Sequence, residues 1–157
     1  MKLSDIVQPI GLYVGLRVLD PTNVALYAHC QAHGIPVKKS EFERRLHTTL
    51  IYSRVAAKIK PDPEITKHHA SFVAYDIFTG RNNENVLVLR LNAPSVVARH
   101  LALMSKHKLT YDFPEFLPHI TLSYNYPSTD VAGIPPFNLP IILGEEYTED
   151  LDFSWSP

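Results

Sequence analysis

Residues 46–53 read LHTTLIYS and residues 118–126 read PHITLSYNY, and how these two stretches are read decides the fold. Both are short and rich in β-branched and aromatic residues, the composition of strands. Set side by side, His47-Thr48-Thr49-Leu50-Ile51-Tyr52 and His119-Ile120-Thr121-Leu122-Ser123-Tyr124 share four of six positions. Alternation along a strand places His47, Thr49 and Ile51 on one face and Thr48 and Leu50 on the other. In the second copy His119 and Thr121 point together by the same rule.

Each motif has the same kind of segment ahead of it. Residues 10–19, IGLYVGLRVL, form a nearly continuous apolar run, which predicts a central strand covered on both faces. Asp20-Pro21 then supplies a cap and a first-turn proline, and Val24, Ala25, Ala28 and Ala32 recur at helical spacing up to Gly34. Before the second motif, residues 71–78 and 86–91 alternate around a turn containing Gly80, Asn82 and Asn83, which predicts a hairpin. Asn92 and Pro94 open a second helix that runs to about Lys106, with Val97, Leu101 and Met104 as its expected buried stripe. Residues 54–67, with several lysines plus Pro61 and Pro63, read as an exposed loop. The strand at 118–126 is expected to pair with one at 139–143, which continues as a β-leaning tail to Trp155.

The order strand, helix, motif strand therefore occurs twice, with the motifs 119 − 47 = 72 residues apart. That offset exceeds solenoid repeats and predicts two lobes about a pseudo-twofold axis. The expected fold is α+β and internally duplicated, with two mainly antiparallel sheets around a central cleft and two main helices outside. At 157 residues the chain fits one domain, 1–157.

A formal charge of −1 leaves no broad cationic surface, so tight binding of long nucleic acid is not expected, whereas a small anionic substrate is compatible. No apolar run is long enough to span a bilayer, and the N-terminal residues lack a signal-peptide pattern. The single cysteine, Cys30, cannot form an intramolecular disulfide and reads as a small buried residue, so the cytoplasm is the expected compartment. His29 and His33 have a zinc-like spacing, but no Glu stands in the HExxH position, and no carboxylate cluster is read as a two-metal site. No catalytic metal and no cofactor is expected. No motif bears on oligomeric state.

Imidazole, with an unperturbed pKa near 6.5, lets one copy accept a proton while another donates one close to neutrality. Phosphodiester cleavage needs both acts, on the attacking oxygen and on the leaving oxygen. Threonine hydroxyls can donate to the non-bridging oxygens as charge develops there. His47 and His119 are therefore the candidate acid–base pair and Thr49 and Thr121 the candidate donors. Tyr52 and Tyr124 either close the cleft or fill the core beneath it.

At these strands the chain resembles the 2H phosphoesterase superfamily, named for its paired His-x-Thr/Ser motifs. More narrowly, LHTTLIYSR, ARH, YDFPEFLPHITLSYN and EEYTEDLDFSW are similar to the bacteriophage anti-CBASS cyclic-oligonucleotide phosphodiesterases. The resemblance implies metal-free cleavage of 3′–5′ bonds in cyclic di- and trinucleotides, the second messengers of a bacterial antiviral system, and hence residence in the host bacterial cytoplasm. It also implies that Tyr13 and Trp155 contact a base and that Glu149 accepts from its exocyclic amine. Phe78, beside the hairpin turn, is the candidate for a second base. Two competing readings are a 2H enzyme acting on RNA ends or 2′,3′-cyclic phosphates, and a cyclic-nucleotide sponge that binds without turnover.

Overall fold

The computed structural model describes residues 10–60, 67–80 and 82–152. Strand β1 (Ile10–Val18) leads through helix α1 (Thr22–Ala32) and a short helix α2 (Lys39–Glu43) to β2 (His47–Ser53). Then come β3 (Lys67–Thr79), β4 (Asn85–Asn92), helix α3 (Pro94–His107), β5 (His119–Ser123) and β6 (Ile141–Asp152). The class is α+β, and the described residues form three helices and one antiparallel sheet in the order β2-β1-β6-β3-β4-β5.

A single six-stranded sheet replaces the two expected sheets, and β3 is the reason. It is longer than the hairpin arm read from the sequence: residues 67–70 bond to β6 while residues 71–79 bond to β4, so one strand serves both halves. β6, expected beside the 118–126 strand, instead lies between β1 and β3. The edge strands β2 and β5 nevertheless meet, because the Thr48 hydroxyl donates to the His119 carbonyl at 2.7 Å. The sheet must curl for its first and last strands to touch.

β1 is central in pairing but is not covered on both faces. Leu12, Val14, Leu16 and Val18 enter the core, whereas Tyr13 and Arg17, on the opposite face, are only half-buried. The helices contact the core through different stripes from those expected. In α1 the buried residues are Thr22, Asn23, Leu26 and Cys30, while Val24 is 62% exposed. Asn23 earns its place by donating to the Phe42 carbonyl and accepting from Leu46 N–H, which fixes the approach to β2. In α3 the stripe is Val96, His100 and Leu103, with Leu101 60% exposed. The stripe lies one position ahead of the one expected and includes His100. Its ring is in fact satisfied, stacking on Phe116 at 3.8 Å and bonding through Nδ1 to the Leu50 carbonyl at 2.6 Å. Among the described residues no helix is long and apolar enough to cross a membrane.

Candidate active site

Both motif strands carry a β-bulge at the same place. β2 pairs Val14 with Ile51 but Gly15 with Thr49, leaving Leu50 as the extra residue. β5 pairs with β4 through Leu87 with Ser123 and Val88 with Thr121, leaving Leu122 extra. An extra residue resets the alternation beyond it. Leu50 and Ile51 are therefore both buried, as are Leu122 and Ser123, and the tyrosines that follow return to the histidine side. Strict alternation placed Ile51 beside His47; the bulge sends it into the core and brings Tyr52 up in its stead.

The result is a cavity of about 690 Å³, within the range of small-molecule sites. His47 and Thr49 from β2, and His119 and Thr121 from β5, line it together with Tyr13, Tyr52 and Tyr124. Phe78 lies edge-on to the His119 ring at 4.9 Å and joins the wall. The remaining wall is the segment after α3, where Tyr111, Phe113, Glu115 and Leu117 face the cavity. His100 steadies that segment through Phe116 and through an edge contact with Tyr111 at 5.1 Å. The bidentate pair of Arg54 with Asp112, 3.0 Å at each oxygen, ties it to the end of β2.

Burial pushes both motif imidazoles below their ordinary proton affinity. For His47 the carboxylates of Glu41 and Glu149 oppose that effect, while Arg17 and His119 add to it. For His119 a bond to the Leu117 carbonyl opposes it and Arg90 adds to it. That bond, 2.8 Å from Nδ1, makes Nδ1 the donor and leaves the Nε2 lone pair available in the neutral ring. Among the described residues, the His47 ring nitrogens have no hydrogen-bond partner; Tyr13 contacts the ring edge-on at 6.1 Å.

Tyr13 also shares a 3.1 Å hydrogen bond with the Thr49 hydroxyl, and burial raises its phenol far above the ordinary value, so it stays protonated. Glu149 stands directly across from Tyr13 on β6, exposed at the rim. Its neighbours are placed otherwise. Glu146, 4% exposed, is bound by Arg99 at 2.8 Å and 2.9 Å, and Glu145 lies 3.9 Å from Arg17 and 3.8 Å from Arg45. Trp155 falls outside the described residues. Sequence reasoning missed Tyr147, which faces Gly15 across β1 and β6 and has its ring 6.0 Å from that of Tyr13. A side chain at Gly15 would collide with the Tyr147 ring at 2.7 Å, so this glycine is the signal that an aromatic lies over the strand. Among the described residues, no three His, Cys, Asp or Glu side chains gather as a metal site requires.

The family model for Anti-CBASS protein Acb1 matches residues 10–157. Anti-CBASS protein Acb1 of Acinetobacter phage Ac42 is 31% identical over 159 aligned residues, covering 100% of each chain. That of Vibrio phage KVP40 is 30% identical, covering 99% of this chain and 97% of the relative, and that of Enterobacteria phage T4 is 29% identical over 93% and 91%. The chain belongs to the Anti-CBASS protein Acb1 family.

Proposed function

We propose that the chain is a metal-independent phosphodiesterase of the 2H type that opens 3′–5′ bonds of cyclic di- and trinucleotides, and that it thereby serves phage evasion of CBASS immunity. The observation that carries this reading is the convergence of His47, Thr49, His119 and Thr121 on one cavity from two strands with the same bulge. We read the chain as one domain built by duplication. In support, Arg17 faces His47 as Arg90 faces His119, and Val18 N–H donates to the Leu46 carbonyl as Leu91 N–H donates to that of Pro118.

In this reading a ribose 2′-OH attacks the adjacent phosphorus. The new bond is O2′–P and the broken bond is P–O5′, giving a linear product with a 2′,3′-cyclic phosphate end. The Nε2 atom of His119, already an acceptor through its Nδ1 bond, takes the 2′-OH proton. His47, whose protonated form the Glu41 and Glu149 carboxylates favour against the effect of burial, protonates the departing O5′. Thr49 and Thr121 donate to the non-bridging oxygens, and the Tyr13 hydrogen bond orients the first of them. Tyr13, with Glu149 across from it, receives one base, and Tyr52, Tyr124 and Phe78 bound the space for the remainder.

An enzyme of long RNA would need a free basic stripe. The compact basic cluster of Lys38, Lys39, Arg44 and Arg45 is instead partly neutralised: Arg45 lies 3.8 Å from Asp20 and 3.8 Å from Glu145, and Lys39 lies 3.7 Å from Glu43. The test is incubation with 3′,3′-cyclic GMP–AMP, a cyclic trinucleotide and a 2′,3′-cyclic mononucleotide in EDTA, followed by product separation. Opening of the cyclic oligonucleotides is expected. Ligand recovered intact after heat denaturation would establish a sponge, and activity abolished by EDTA would end the metal-free mechanism.

A further inference from the structure

The cavity has an unbalanced charge inventory. Among the described residues that line it, Glu115 is the one side chain of an acidic or basic type besides the two histidines. A ligand carrying two or three phosphates would be held more strongly with positive charge at the cavity's edge.

Two arginines stand at equivalent places on that face. Arg17 is the cross-strand neighbour of His47, and Arg90 that of His119. Directly opposed residues share a face and lie about 5 Å apart at Cβ, so a phosphate bonded to the imidazole is within reach of the guanidinium beside it. The two differ in what already occupies them. Arg17 lies over the Tyr147 ring, 4.2 Å from its centroid, and 3.9 Å from Glu145. Arg90 is half-buried and, among the described residues, has neither an ion-pair nor a hydrogen-bond partner. Its neighbour on β3 is Ala74, whose small side chain leaves room beside it. A guanidinium kept from water without a counter-ion is costly unless a ligand supplies one.

We propose that Arg90 is a phosphate-binding residue of the site, taking non-bridging oxygens of the ligand phosphate beside His119 in a forked contact. Arg17, already held by Tyr147 and Glu145, contributes less. This inference rests on the cyclic-oligonucleotide reading above.

The test measures binding of 3′,3′-cyclic GMP–AMP by calorimetry to a His47→Ala parent, which prevents turnover, and to the same chain carrying Arg90→Gln, Arg90→Lys or Arg17→Gln. Circular dichroism and melting serve as the check on folding. Arg90→Gln is expected to weaken binding about ten-fold or more and to reduce its dependence on salt, Arg90→Lys to restore part of the loss, and Arg17→Gln to cost less than Arg90→Gln. Should Arg90→Gln misfold, Arg90→Lys decides alone: a planar forked contact predicts a several-fold loss, and unchanged affinity overturns it. A folded Arg90→Gln chain binding like its parent with the same salt dependence refutes the role of Arg90 and leaves the ligand class standing. A parent that does not bind the cyclic dinucleotide refutes the ligand class itself, and this inference with it.

Discussion

The β1–α1–β2 half and the β4–α3–β5 half have nearly superposable pairing and quite different neighbours. In both, a histidine faces an arginine, a bulged leucine follows the threonine, and an N–H just past the arginine closes onto the residue before the histidine. On the cavity face of the first half, the row beyond the threonine is aromatic and polar: Gly15 lets Tyr147 lie across the strand, and Tyr13 bonds Thr49. The same register positions of the second half are Val88 opposite Asp76 and Val86 opposite Phe78. Backbone pairing thus repeats the histidine–threonine set, while the β4 positions equivalent to Gly15 and Tyr13 carry buried valines that do not line the cavity. Equivalent chemical groups thus face the cavity from differently built surroundings.

That contrast can be broken most severely at the shared element. His47→Ala and His119→Ala are each expected to lower turnover of a cyclic dinucleotide on the order of a thousand-fold while leaving calorimetric affinity largely intact. Near-full rate in either variant would show that the two histidines do not act as a pair. A smaller effect sharpens the difference between walls: Tyr13→Val gives the first half the residue type of the second. It should raise KM on the order of ten-fold, more than it lowers kcat, because about 1–3 kcal/mol of stacking is lost. An equal loss in both constants would instead place Tyr13's contribution in orienting Thr49.

The mildest effect is shared by both halves and is read without substrate. His29, His47, His68, His100 and His119 are all pushed by burial below the ordinary imidazole value. The unfolded chain therefore binds more protons than the folded one below about pH 6.5, and stability falls as pH drops through that value. Above it the contribution is constant. The melting midpoint should decline steadily from pH 6.5 toward 5; a flat profile would mean these rings are not desolvated as packed here.

The strand–helix–strand order and the four motif residues were legible because they depend on local periodicity and on a repeated pattern of residue types. The bulges were not, since Leu50 and Leu122 are ordinary strand residues and their extra status arises only from pairing with β1 and β4. The insertion of β6 beside β1 was likewise hidden, and with it the overlay of Tyr147 on Gly15. Long-range pairing has no signature within either strand. The place of His100 in the buried stripe was hidden for a different reason: an imidazole bonded to a carbonyl and stacked on a ring packs as a core residue, which hydropathy alone does not convey.

The bulge at Leu50 also behaves as a frameshift for side chains. Without it, residues an odd number of positions apart could not serve the same cavity from one strand; with it, His47 and Tyr52, five apart, do so. Deleting Leu50 would keep every cavity-lining side chain in the sequence and yet turn Tyr52 to the opposite face. In this protein the parity of the spacing between histidine and tyrosine is itself a coded quantity, and a sequence that changes it by one specifies a different cavity even if it conserves every residue lining this one.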